Sequence, residues 1–224
     1  FDENGVNPSC IISKKDTKYL YYFGWQKNIS GSYLLLCGLA ISNDGGKTFD
    51  RFSKVPILER RSNELYVRSA VSVIIDNGLF RMWYVSGIEW TQFKGKPCPK
   101  YLIKYAESND GIVWLPTDKI CINFENEDEF GFGRPWVIKQ SGVYKMWYSI
   151  RRKSLPYRIG YAESNDGINW IRLDENVGIQ TSPSGWDSNM VCFPCVFKYD
   201  NKLSMFYNGN NHGQQGFGYA RLNI

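Results

Sequence analysis

The chain repeats itself. Ala40-Ile-Ser-Asn-Asp-Gly-Gly-Lys-Thr-Phe49, Ala106-Glu-Ser-Asn-Asp-Gly-Ile-Val-Trp114 and Ala162-Glu-Ser-Asn-Asp-Gly-Ile-Asn-Trp170 are copies of one segment, and a fourth opens at Tyr219-Ala220. The alanines lie 66, 56 and 58 residues apart. Ahead of each copy stands an aromatic stretch: Tyr21-Tyr22-Phe23, Met82-Trp83-Tyr84, Met146-Trp147-Tyr148 and Met205-Phe206-Tyr207. Ahead of each of those stands an apolar stretch: Cys10-Ile11-Ile12, Val71 to Ile75, Trp136-Val137-Ile138 and Cys195-Val196-Phe197. Four copies in one order mark a fold assembled from like units that bury their faces against one another.

Each unit reads strand, turn, aromatic strand, loop, strand, Asn-Asp-Gly turn, strand. The first turns, Lys14 to Thr17, Asp76-Asn77-Gly78, Gln140-Ser141-Gly142 and Asp200-Asn201, are of hairpin type. In the Ser-Asn-Asp-Gly turn, Gly takes the left-handed position, Ser and Asp bond nearby amides, and the following Trp or Phe packs back. Asn109, Asp110, Asn165 and Asp166 are therefore turn formers. No helical period is present. Four-stranded antiparallel units of this length predict an all-β chain, a β-propeller over residues 1–224, with repeats near 5–62, 63–129, 130–187 and 188–224. The abrupt start inside the repeat favours a missing or truncated N-terminal blade over a closed four-bladed ring.

Composition narrows the function classes. With 43% hydrophobic and 16% aromatic residues, the chain is neither disordered, collagenous nor coiled coil. No apolar run approaches the ~18 residues of a membrane helix, and a net charge of +5 spread along the chain does not point to nucleic acid. Six cysteines (10, 37, 98, 121, 192, 195) read as buried free thiols, the Cys192-x-x-Cys195 pair lying in a strand. A single histidine, His212, builds no typical zinc site, so neither metal nor cofactor is expected. Asn28-Ile29-Ser30 is a glycosylation sequon that matters only on secretion. The chain opens at Phe1 with no signal peptide, as a processed or cut N-terminus would.

In a propeller, the loops entering the innermost strands and those leaving the aromatic strands border one mouth of the channel. Those loops hold Asp2, Glu64, Arg68, Glu129, Arg134 and Asp187 on one side, and Trp25, Trp90, Arg151, Asn208 and His212 on the other, with Trp186 beside Asp187. Aromatic faces stack on sugar rings while Asp, Asn and Arg bond hydroxyls, so a carbohydrate or small sugar is the expected ligand. Arg68 and Arg134 read as nearly the same repeat position and, with Arg151, make the mouth cationic. An acidic sugar, a sugar phosphate or inorganic phosphate would suit it. The competing readings are a loop carboxylate paired with an arginine, an arginine bridging two blades, and a Trp in the blade core.

The repeats resemble the arabinanase/levansucrase/invertase propeller superfamily, glycoside hydrolase families 32, 43, 68 and 130, which implies five blades and chemistry at the axial mouth. The first copy, Ser42-x-Asp44-x-Gly46-x-Thr48-Phe49, is also similar to the Asp-box of sialidases. Gly5-Val6-Asn7-Pro8-Ser9, Met82 to Gly87, Tyr157 to Ala162 and Gly185-Trp186-Asp187-Ser188 together resemble uncharacterised bacterial glycosyl hydrolase-like proteins, which implies a cytoplasmic location. Where invertase-like enzymes carry their acids, however, this chain reads Asn7-Pro8-Ser9, Arg68-Ser69-Ala70 and Gly133-Arg134-Pro135. The catalytic candidates are then Asp187, Glu64 and Asp2. The resemblance implies a carbohydrate-active enzyme, a glycosidase or phosphorylase. The alternative is a non-catalytic glycan-binding propeller that kept its aromatics and lost the acids.

Overall fold

The computed structural model describes residues 1–28 and 32–222, so Ile29 and Ser30 of the sequon lie outside the described residues. Regular structure there is strand, apart from two single 3-10 turns at Asp174–Asn176 and Asn211–Gly213. The chain divides into two compact units, Phe1–Ile120 and Cys121–Ile224.

The first unit holds two repeats. Strands β1 (Val6–Lys14), β2 (Thr17–Lys27), β3 (Tyr33–Ser42) and the short β4 (Asp50–Arg51) form one antiparallel meander. Next come β5 (Val67–Asp76), β6 (Leu79–Phe93), β7 (Lys96–Ser108) and β8 (Leu115–Ile122). A two-residue parallel pairing, Leu35 with Val67 and Leu36 with Arg68, links the two. In the second unit β9 (Glu129–Gln140), β10 (Val143–Arg152), β11 (Arg158–Ser164) and β12 (Ile171–Arg172) make the third meander. The last repeat contributes β13 (Cys192–Tyr199), β14 (Lys202–Asn208) and β15 (Phe217–Arg221).

The repeated turn works as its side chains require. Ser108 Oγ accepts from the Gly111 amide at 2.8 Å and donates to Asp110, whose Oδ1 accepts from the Ile112 and Val113 amides at 2.8 and 2.9 Å. Ser164 and Asp166 reproduce this with Gly167, Ile168 and Asn169. In the first copy Asp44 holds Lys47 and Thr48 instead, because an extra glycine lengthens the turn. These donors outweigh burial and lower the Asp110 carboxyl below its ordinary range.

The turn of the second repeat packs on the aromatic strand of the first. Tyr21 donates its hydroxyl to the Gly111 carbonyl at 2.8 Å, and its ring meets the edge of Trp114 at 6.0 Å. In the second unit Trp147, Ile159 and Tyr161 of the third repeat bury against Val191, Val196 and Met205 of the fourth. Each such side chain contributes about 1.5–3 kcal/mol on burial. None of the six cysteines is in a disulfide, and only Cys195 is not fully buried.

Every innermost strand bends at a corresponding place, and β9 slips a second time where Arg151 and Arg152 face Gly131 and Glu129. Pairing slips between Pro8 and Cys10, Ser69 and Ser72, Trp136 and Gly133 (the two facing Trp147 and Ser149), and Cys192 and Cys195. In three of these bulges a non-glycine residue takes a left-handed backbone: Ala70 (φ +47°), Arg134 (φ +47°) and Phe193 (φ +56°). Bulges re-aim side chains next to functional sites.

Candidate functional site

The three candidate acids occupy one repeated place. Each lies 20 residues ahead of the second aromatic of its repeat and accepts that tyrosine's hydroxyl: Asp2 from Tyr22 at 3.1 Å, Glu64 from Tyr84 at 3.1 Å, Asp187 from Tyr207 at 3.0 Å. In the third repeat Asp174 takes the Tyr148 hydroxyl at 2.7 Å. Opposite the tyrosine stands glycine in three repeats, Gly38, Gly160 and Gly218. A Cβ there would lie within 2.6 Å of the ring, so in these three repeats glycine leaves the tyrosine room to lie flat.

What surrounds each acid differs. Asp2 meets Arg51 at 3.2 Å. Glu64 has no exposed surface; Arg68 Nε stands 3.0 Å away and Lys104 Nζ 3.4 Å, with Ser86 donating its hydroxyl as well. Lys104 stands where the other repeats have glycine, opposite Tyr84. Asp174 bonds Arg172, which also grips Glu129 through two nitrogens at 2.7 and 2.8 Å. Burial would raise the Glu129 carboxyl, yet these bonds leave it lowered. Asp187 is buried and, among the described residues, has no cation within ion-pair distance. Burial and the neighbouring Asp187 push the Tyr207 hydroxyl up to about 12, so it remains a donor at neutral pH.

The pairing register separates Arg68 from Arg134. Arg68 faces Ser86, two residues past Tyr84, whereas Arg134 lies in the bulge with Ala70 and Phe193. The two arginines are therefore not equivalent: one stands before its bulge and the other inside it. Arg68 is buried, lies over the Tyr84 ring at 5.2 Å and donates to the Glu59 carbonyl. Arg134 stands close enough to Cys192 and Cys195 for its charge to oppose the rise that burial gives both thiols.

A second group gathers in the other unit, around the loops leaving β10 and β14. The Arg151 guanidinium lies 4.5 Å from the Phe130 ring and 5.9 Å from Tyr157. Tyr157 meets His212 edge-on at 5.2 Å, and Phe193 stacks on His212 at 5.9 Å. Burial, then the Arg151 charge, lowers the His212 pKa. Asn208 donates to the His212 carbonyl at 3.0 Å. Asn210 joins this loop to the acid: its amide donates to the Trp186 carbonyl, and its Oδ1 accepts from the amides of Asn189 and Met190. Asp187 and His212 therefore belong to two loops clamped by one asparagine. The sequence singles out Arg151, Asn208 and His212 but not Tyr157 or Phe193. The bulge position shared with Arg134 is the available signal for Phe193.

Trp25 and Trp90 are brought together by a residue that no sequence motif marks. Tyr33 lies 5.2 Å from each ring, and Tyr66 meets Trp90 at 6.0 Å. A cleft of roughly 430 Å³, lined by Gln26, Lys27, Asn28, Arg60 and Tyr66 among others, borders this ladder. Trp186 instead packs in the fourth repeat, stacked on Tyr207 at 5.6 Å and seated over Gly209 and Gly218.

No family model matches the chain. It is 37% identical over 222 residues to the uncharacterized protein Rv1502 of Mycobacterium tuberculosis, covering 99% of this chain and 73% of that one. It is 34% identical over 137 residues to a 1,2-beta-oligomannan phosphorylase of a Thermoanaerobacter species, covering 56% of this chain and 45% of that one. Among solved structures, a thermostable family-43 glycoside hydrolase superposes with a TM-score of 0.74 at 20% identity, over 96% of this chain and 70% of that one. The fold is that of the β-propeller glycoside hydrolases, as the repeats led one to expect.

Proposed function

Since the chain belongs to the family of the mycobacterial protein Rv1502, we propose that this family comprises carbohydrate-active enzymes that break a glycosidic bond beside an oxyanion. The observation that carries the reading is the contrast among the repeated acids. Asp2, Glu64 and Asp174 each have an arginine partner, whereas Asp187 is held by one tyrosine hydroxyl. Asp2 and Glu64 then serve as clasps, and Asp187 is the proton donor. Arg151 and His212 hold the anion, with Tyr157 and Phe193 as the apolar wall. Phosphorolysis needs only one acid. Asp187 gives its proton to the glycosidic oxygen, a phosphate oxygen bonds to the anomeric carbon as the carbon–oxygen bond breaks, and a sugar 1-phosphate leaves with the shortened saccharide. The fold and the partial likeness to an oligomannan phosphorylase favour this class.

The test is product release from a panel of neutral oligosaccharides, β-1,2-mannan fragments included, and uronic acid oligosaccharides, with and without inorganic phosphate. Phosphate-dependent release identifies phosphate as the anion. Release confined to acidic glycans, without phosphate, assigns the anion to the sugar. Asp187→Asn should lower turnover by about 10²–10⁴ in either case. Unchanged turnover in that variant would overturn the assignment, and binding without turnover in the wild-type chain would leave a glycan-binding propeller.

A further inference from the structure

One buried side chain pins the segment that carries Asp187 at both ends. Asn210 is 9% exposed, and its amide group makes every hydrogen bond open to it, two accepted and two donated. Oδ1 accepts from the backbone amides of Asn189 and Met190 at 2.8 and 2.9 Å. Nδ2 donates to the Gly185 carbonyl at 3.0 Å and to Gln215 Oε1 at 3.1 Å. The Asn210 backbone amide adds a bond to the Trp186 carbonyl at 2.8 Å. Aspartate in this place would have no hydrogens for Gly185 and Gln215, and alanine would release all four side-chain bonds. Blade geometry does not ask for asparagine: the position three residues past the repeated tyrosine holds Trp25, Gly87 and Arg151 in the other repeats.

Asn210 also leads directly into a strained turn. Asn211 (φ +53°) and His212 (φ +60°) are both left-handed, and neither is glycine. Such backbone persists only where its surroundings fix it, and it gathers at functional sites. His212 is fixed through the segment that Asn210 pins. Its amide donates to Met190 Sδ at 3.4 Å, and Phe193, three residues further along, stacks on its ring. The other groups facing the imidazole are Arg151 near the end of β10 and Tyr157 beyond it. The bonds that hold the acid's segment are therefore the same bonds that set the wall against which His212 rests.

We infer that Asn210 is the positioning residue of this site: it places the His212 imidazole beside Arg151 and, with the same bonds, fixes the segment that carries Asp187. The catalytic consequence rests on the roles proposed above for Asp187 and His212, but the placement does not. His212 is the chain's one histidine, so a single imidazole proton resonance followed against pH by NMR reports its pKa. Burial and Arg151 hold that pKa below its ordinary value in the wild-type chain. In Asn210→Ala, with circular dichroism unchanged, it should rise to about 6.5 as the ring leaves its place. Sulfate, as a probe anion, should bind the wild-type chain more tightly as pH falls through the His212 titration. Asn210→Ala should lose most of that dependence and keep the affinity that Arg151→Ala removes. If Asn210→Ala does not fold, amide exchange in the wild-type chain decides. The amides of Asn189, Met190 and Gly213, all donating to Asn210, should then open together with a common protection factor. An unchanged His212 pKa in the folded variant, or amides that open independently, would overturn the inference. A wild-type chain that binds no sulfate would instead overturn the anion reading of the site, and the His212 resonance would still judge Asn210.

Discussion

Replacing Glu64 by glutamine separates a clasp from a catalytic acid. Glu64 has no exposed surface, and its carboxylate neutralises two cations that are themselves nearly buried, Arg68 at 3.0 Å and Lys104 at 3.4 Å. At an effective dielectric near 20, each pair is worth about 5 kcal/mol in direct attraction, partly offset by the cost of burying the charges. Glutamine keeps one acceptor but turns an NH2 toward a site where Arg68 and Lys104 offer no acceptor and lose the charge that neutralised them. Breaking a buried pair from one side costs about 3–5 kcal/mol, which for a chain of this size lowers Tm by roughly 6–20 °C. Urea unfolding at pH 7, followed by tryptophan fluorescence, reads this as a lower midpoint at constant slope. Adding Lys104→Gly, the residue the other repeats have there, removes one stranded cation and should restore about 1–2 kcal/mol. A loss below about 1 kcal/mol, or a gain, would refute the clasp. Gains on removal are the mark of a functional acid held under strain.

The glycine opposite three of the four tyrosines makes a second prediction. In Gly160→Ala the new Cβ would stand 2.6 Å from both the Tyr148 ring and Asp174 Oδ1, so the variant should lose about 2–3 kcal/mol by urea titration. Gly142→Ala meets nothing within 4 Å and should lose only about 1 kcal/mol, from its left-handed backbone at φ +84°. His212 gives the third, measured as sulfate affinity by calorimetry, since sulfate keeps its charge across the range. Burial and Arg151 hold the His212 pKa below its ordinary value, so the imidazole is neutral at pH 7 and gains its proton only below about 6.5. Sulfate binding should therefore strengthen as pH falls through that region. His212→Ala should flatten the dependence, and Arg151→Ala should weaken binding at every pH.

The turns were legible because each is closed by residues within a few positions of one another. Ser108, Asp110 and Gly111 satisfy their own backbone wherever the segment is placed. The acids were legible as loop carboxylates but not as clasps, since a hydroxyl 20 residues away meets them only once the hairpin has formed. That constant spacing was nevertheless in the sequence. Counting back from the tyrosine would also have parted the arginines, Arg68 being 16 residues ahead of Tyr84 and Arg134 only 14 ahead of Tyr148. Trp186 was harder, because its place depends on Gly209 and Gly218, two strand-edge glycines with no local signature.

A repeated fold sorts its own residues. Whatever all repeats keep, such as the tyrosine and its acid, must satisfy blade geometry, and its loss should appear first in stability. Whatever one repeat alters at a fixed position is released from that demand. Lys104 in place of glycine, Phe193 in the bulge beside His212, and Asp187 with a hydroxyl but no arginine are such alterations. Lys104 is answered locally by Glu64, so it changes the clasp and nothing further. Phe193 and Asp187 fall in the fourth repeat, on segments that Asn210 and His212 hold near one another. Two departures gathered in one repeat are what a site built on a scaffold requires, and variants there should lower turnover or binding with little change in Tm.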